Sequence, residues 1–161
     1  PHLFENMDGR RLINVAPAAG SYLSQPHNGR GVAVGDIDRD GDVDVAVSHL
    51  NAPVALLLNE SNVQSNWLSL RLIGTNGNRD AIGAHIKLET ASGTQSRLIK
   101  GGGSYASTSD RRVHFGLGES AVVKQVEIRW PSGMVETFSD VSANQWIELV
   151  EASGNSTTIA K

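Results

Sequence analysis

In the stretch Trp67-Leu68-Ser69-Leu70-Arg71-Leu72, the three leucines share one face of an extended chain, and Trp67, Ser69 and Arg71 share the other. Strict period two of this kind reads as a half-buried β-strand, not a helix. The pattern recurs outward along the chain. Val126, Ile128 and Trp130 alternate with Glu127 and Arg129; Ile86 and Leu88 alternate with Lys87 and Glu89; Ile147 and Leu149 repeat it near the end. Turn signals fall between these runs: Asp8-Gly9, Asn28-Gly29, Asn76-Gly77, Ser92-Gly93 and Ser132-Gly133. The predicted architecture is all-β, with about eleven short strands and no helix longer than two turns.

Composition sets the outer bounds. The 161 residues suffice for one domain or two small ones, with a core that needs no obligatory staples. Hydrophobic residues make up 39% and charged residues 19%, which excludes a coiled coil or a long disordered chain. No apolar run reaches the roughly 18 residues of a membrane helix. Net charge is −3, and the 14 Lys and Arg are scattered without the basic stripe of a nucleic-acid binder. Zero cysteines remove disulfides, thiol catalysis and Cys-zinc sites together. A chain that begins at Pro1 without Met is expected to be processed or excised from a longer one.

The polar run Asn59-Glu-Ser-Asn-Val-Gln-Ser-Asn66 lies between apolar strands and predicts a linker. It divides the chain into a small Asp-rich unit at 1–62, a Gly-rich β-sandwich at 67–150, and a small, polar, flexible tail at 151–161.

The strongest chemical signal is Asp36-Ile-Asp38-Arg-Asp40-Gly41-Asp42-Val-Asp44, which holds five of the nine aspartates in the chain. Asp occupies positions 1, 3, 5 and 9, and Gly follows position 5. That spacing is similar to the first nine positions of a calcium loop, in which alternate side chains point inward and Gly permits the sharp turn. Asp36, Asp38, Asp40 and Asp44 would supply carboxylate oxygens to Ca²⁺, and Asp42 its carbonyl. Five carboxylates and Arg39 leave a local charge near −4, which a divalent cation converts from repulsion to attraction. The loop departs from an EF-hand: position 12 is Val47, not Glu, and the flanks read as strands. Mg²⁺ suits it less, because Mg²⁺ takes fewer protein ligands and keeps more water.

The stretch Gly31-Val-Ala-Val-Gly-Asp-Ile-Asp-Arg-Asp-Gly-Asp-Val-Asp-Val-Ala-Val47 resembles an FG-GAP (VCBS-type) repeat. The resemblance implies one β-propeller blade whose Asp loop, between its first two strands, holds Ca²⁺. Val54 to Asn59 would be the next strand, and Leu3-Phe-Glu-Asn-Met-Asp-Gly9 the end of a preceding repeat. The second unit resembles the ASPIC/UnbV family at Arg79-Asp-Ala-Ile-Gly-Ala84, Gly101-Gly-Gly-Ser-Tyr105, Ser109-Asp-Arg-Arg-Val-His-Phe-Gly-Leu-Gly118 and Val126-Glu-Ile-Arg-Trp-Pro-Ser-Gly133. That implies an antiparallel β-sandwich. The order of the two units is similar to the C-terminal part of the cartilage acidic protein-like family, which implies a secreted, periplasmic or cell-surface location. Without cysteines the EGF-like module of some animal relatives cannot be present, which favours a bacterial-type member.

Other residue groups carry weaker signals. His2, His27, His49, His85 and His114 lack short metal-ligand spacing. Ser107, Asp110 and His114 could form a triad, but no nucleophile elbow surrounds a serine. Gly101-Gly-Gly-Ser104 reads as a bulge or close backbone approach, since no helix follows to hold a phosphate. Trp130 lies on a core face, whereas Trp67 and Trp146 lie opposite one and are the candidates for an exposed sugar-stacking platform. Arg79-Asp80 and Arg129 could form an ion pair or a small-ligand site. Asn59 and Asn155 fit the glycosylation pattern. The expected function is a non-catalytic, calcium-binding extracellular adhesion module with a protein or glycan partner. A carbohydrate-binding module is the alternative, and a metal-dependent hydrolase lacks a base beside the loop. Bare blade edges would need cover from the sandwich or from a second copy in a homodimer.

Overall fold

The structure is a computed structural model that describes residues 1–61, 65–154 and 156–159. Among the described residues there are thirteen strands and no α-helix; one 3₁₀ turn spans Ala16–Ala18. A hairpin of β1 (Phe4–Met7) and β2 (Arg11–Asn14) opens the chain. Its turn places Asp8 and Gly9 at φ of 54° and 69°, the left-handed pair that tight hairpins use. A three-stranded antiparallel sheet follows, from β3 (Gly29–Gly35), β4 (Asp44–His49) and β5 (Ala55–Leu57), in that order.

The remainder forms two four-stranded sheets. One has the order β11-β10-β7-β8 and the other β13-β12-β6-β9. These strands are β6 (Asn66–Ile73), β7 (His85–Thr90), β8 (Gly93–Leu98), β9 (Val113–Gly118), β10 (Val122–Arg129), β11 (Val135–Ser142), β12 (Gln145–Val150) and β13 (Ser156–Ile159). Both sheets feed one core: Leu68, Leu70 and Leu72 from β6 and Phe115 from β9 meet Ile86, Leu88, Val126 and Ile128 from β7 and β10. The alternating leucines and isoleucines are thus the inner faces of a sandwich. Each such side chain contributes about 1.5–3 kcal/mol by leaving water.

Two expectations change. The sandwich is not wholly antiparallel, since β12 pairs with β6 in parallel from Gln145↔Leu68 to Val150↔Ile73. The chain leaves β6, crosses to the opposite sheet for β7 and β8, comes back as β9 antiparallel to β6, crosses again for β10 and β11, and returns as β12 running in the same direction as β6. Within the tail expected to be flexible, Ser156–Ile159 pairs with β12. Its backbone groups are satisfied by a sheet edge, an option that composition does not reveal.

Glu151 closes the end of the sandwich. It is 3% exposed. Its Oε2 accepts the Thr75 and Asn76 amides at 2.8 and 2.9 Å, and its Oε1 accepts the Ser132 hydroxyl. The Asn76 amide first, then the Ser132 hydroxyl, hold its pKa below the ordinary 4.5 against the opposing effect of burial. A depressed folded pKa contributes stability above pH 4.5 that is lost as pH falls through the folded value. In urea unfolding followed from pH 7 to pH 3, Glu151→Gln should cost about 1.5–3 kcal/mol at neutral pH. It should also flatten the acid limb. An unchanged acid limb would remove Glu151 as its source.

Candidate metal centre

The loop between β3 and β4 turns sharply because Arg39 and Gly41 adopt φ of 64° and 102°. Two Asx turns hold it: the Asp40 amide donates to Asp38 Oδ1 at 3.3 Å, and the Asp42 amide to Asp40 Oδ1 at 2.8 Å. Asp36, Asp38 and Asp40 converge so that one oxygen of each lies within 4.8 Å of the others. At an effective dielectric of about 20, each ionised pair at that range repels by roughly 3–4 kcal/mol.

The five loop aspartates are not equivalent. Asp36 is 6% exposed, and no donor among the described residues meets either of its oxygens in full hydrogen-bond geometry, although the Arg39 and Gly41 amides are near enough to favour its charged form. Burial pushes its pKa up, against weaker opposing effects of the Arg39 amide and the Arg112 guanidinium. Such a carboxylate calls for a proton or a cation. Asp38 and Asp40 are exposed. Asp44 is 1% exposed and ties the loop shut: its Oδ2 accepts the Ile37 amide at 2.8 Å and its Oδ1 the Asn59 amide at 2.9 Å. The Asp42 carboxylate stands outside the converging group. Two exposed carboxylates beside a buried one, hard oxygen donors all three, fit a calcium-type cation better than a soft one.

The loop rests on the outer face of the β13-β12-β6-β9 sheet. The Trp67 indole lies against Gly41, where a Cβ would stand 2.1 Å from its Nε1. Trp146 packs on Trp67 with ring centres 5.0 Å apart, and His114 stacks on it at 5.9 Å. Arg112 Nη2 donates to the Asp36 carbonyl oxygen at 3.1 Å, while its Nε donates to Asp110 Oδ2 at 2.7 Å. The alternation put Trp67 and Trp146 on the correct face, but they are no exposed platform. They are 9% and 3% exposed, because the Asp loop and their own stack cover that face. Trp130 is in the core at 2%.

The free edge of β3 is also capped from the sandwich. Ser107 Oγ donates to the Val32 carbonyl at 2.7 Å, and the Asp110 amide to the Val34 carbonyl at 2.9 Å. Gly31 allows the approach, since a Cβ there would lie 2.7 Å from the Tyr105 carbonyl oxygen. Ser107, Asp110 and His114 are therefore spent separately: on a strand edge, on Arg112 and on Trp67. Asp80 pairs with Arg111, not with Arg79 or Arg129. Asn59 is half-buried and its Oδ1 accepts the Ser61 amide, while Asn155 lies outside the described residues. One cluster carried no signal in the sequence. His49 Nδ1 lies 2.6 Å from the Pro53 carbonyl oxygen, its Nε2 lies 2.6 Å from the Tyr22 hydroxyl, and His27 stacks on Tyr22.

The sheets and loop define an all-β sandwich with an Asp-rich loop docked on its outer face. The ASPIC and UnbV family model matches residues 74–156, more than half of the chain, and the chain belongs to that family. It is similar to cartilage acidic protein 1 of Xenopus tropicalis, 34% identical over 115 residues, and to that of Homo sapiens, 33% over 118. These alignments cover 69% and 71% of this chain and 18% of each relative. The chain thus spans about a fifth of the length of the curated relatives it matches. The family match begins one residue after β6 ends, although β6 supplies the centre of one sandwich sheet.

Proposed function

We propose that the chain is a non-catalytic, calcium-stiffened interaction module from a larger extracellular protein, secreted or held at the cell surface or in the periplasm. In this reading residues 1–62 are an FG-GAP/VCBS-type propeller unit and residues 67–150 the ASPIC/UnbV sandwich. The observation that carries the metal is the buried carboxylate of Asp36, with no donor in full hydrogen-bond geometry, beside Asp38 and Asp40. Asp36, Asp38 and Asp40 would hold Ca²⁺ through side-chain oxygens, and the Asp42 carbonyl and Asp44 would complete the protein's share. The ion would supply rigidity, not chemistry. Exposed apolar residues on both faces of the three-stranded sheet support the larger assembly. Val32 and Val34 stand 42% exposed on one face and Leu56 52% on the other. A second copy could cover the same faces in a homodimer.

Trp67 supplies the test. An indole seated against Gly41 sensitises a lanthanide bound in the loop. Tb³⁺ emission excited through tryptophan should appear, be displaced by Ca²⁺, and disappear in Asp38→Ala. Thermal unfolding should rise by several degrees between EGTA and millimolar Ca²⁺, more than with Mg²⁺. A ligand at about 100 times its dissociation constant adds about 2.7 kcal/mol. Absence of both the emission and the shift would sink the metal.

A further inference from the structure

Scattered cations in the sequence converge in the fold. A cleft of about 460 Å³ opens between the three-stranded sheet and the sandwich, and its walls include Arg97, Lys100, Arg111 and Arg112. Four of the 14 Lys and Arg thus meet at one place, against Asp36 and Asp110 as the only acids among its described lining residues. Two of the cations are already neutralised, Arg112 by Asp110 and Arg111 by Asp80. Arg97 and Lys100 have no carboxylate partner among the described residues. Arg97 is nonetheless held in place: its guanidinium lies over the Phe115 ring, 5.5 Å from the centroid, and Nη1 donates to the Ser96 carbonyl at 3.0 Å.

The cleft is also where two sheet edges meet. β8 ends one sandwich sheet and β9 ends the other, and residues of both line the cleft. Leu98, next to Arg97 on β8, is 51% exposed. An open edge offers a row of backbone donors and acceptors to another extended chain, and alternate side chains of that chain are read by the flanking surface. Arg97 and Lys100 flank this edge without a carboxylate partner among the described residues, and Leu98 stands on the opposite face of β8 from Arg97.

We infer that this cleft docks an extended acidic peptide, which adds as a strand along the outer edge of β8, takes over the Ser96 carbonyl that Arg97 now caps, and sets its carboxylates against Arg97 and Lys100. The inference rests on the reading of the chain as an interaction module and names the partner's chemistry. It does not require the metal. An acidic saccharide would satisfy the cations but would leave the strand edge unused.

The test is fluorescence anisotropy with labelled peptides of alternating Glu and Val, their Gln and Val counterparts, and an acidic peptide N-methylated at alternate amides. A sulfated oligosaccharide serves as competitor. All are run in EGTA and again in Ca²⁺. The acidic peptide should bind, and binding should weaken with salt. It should fall at least about tenfold in Lys100→Glu, equivalent to about 1.4 kcal/mol. The Gln and N-methylated peptides should bind at least about as weakly. Arg97→Gln should act in the same direction, and Lys100→Glu, at an exposed site, keeps the test valid if Arg97→Gln fails to fold. Equal binding of the N-methylated peptide, indifference to Lys100→Glu, or preference for the saccharide would each overturn the proposal. Binding retained in EGTA without a terbium signal would instead reject the metal alone.

Discussion

Gly41→Ala should unfold the contact between the Asp loop and the sandwich. Two costs arise at once. The residue sits at φ 102°, where an L side chain is strained. Its Cβ would also stand 2.1 Å from Trp67 Nε1 and 2.3 Å from Cε2, inside the indole ring. The ring cannot swing away cheaply, because Trp146 and His114 pack against it. Overpacking costs about 1–3 kcal/mol and the left-handed backbone about 1–2 more. Urea unfolding should therefore show a loss of roughly 2–5 kcal/mol, with tryptophan emission shifted to the red as Trp67 becomes wet. A loss below about 1 kcal/mol would mean that the loop does not sit on Trp67 in solution.

Asp44→Ala should cost a similar amount, and it should do so in EGTA. Its two oxygens hold the amides of Ile37, inside the loop, and Asn59, beyond β5. A hydrogen bond to a charged group is worth about 1.5–3 kcal/mol, and both are lost together while two amides are stranded. A loss of roughly 3–5 kcal/mol in chelator would mark Asp44 as a structural tie, whatever it also gives to a cation. Asp38→Ala, at an exposed position with a single local bond, should change stability little in chelator. If Asp44→Ala were neutral without metal and costly only with it, the tie would be wrong.

These two positions show how far the sequence could be read. The spacing of the Asp loop predicted its sharp turn, since side-chain alternation and glycine placement are local matters. The inner faces were equally legible: Leu68, Leu70 and Leu72 lie in the core where period two puts them. Trp67 and Trp146 mark the limit. Alternation assigns a face but does not say what lies on it, and that face is covered by a loop some 26 residues earlier in the chain than Trp67. Alternation is likewise silent on neighbours, so the parallel partner of β6 could not be foreseen. The cations of the cleft come from β8, the stretch after it and the stretch before β9, and only the fold adds them together.

The parallel pairing of β6 with β12 bears on how such a chain matures during synthesis. β6 lies mid-sheet, between β9 and β12, and the latter contact joins residues 77 positions apart, Gln145 with Leu68. Closing a loop of that length costs entropy before the pairing repays it, and topologies rich in distant pairings fold slowly. On a ribosome, β7 to β11 emerge and can pair while one flank of β6 stays open until Val150 has left the exit tunnel. For that interval the chain carries a sticky hydrophobic strand with a vacant side, which is the moment at which a chaperone would matter most to it.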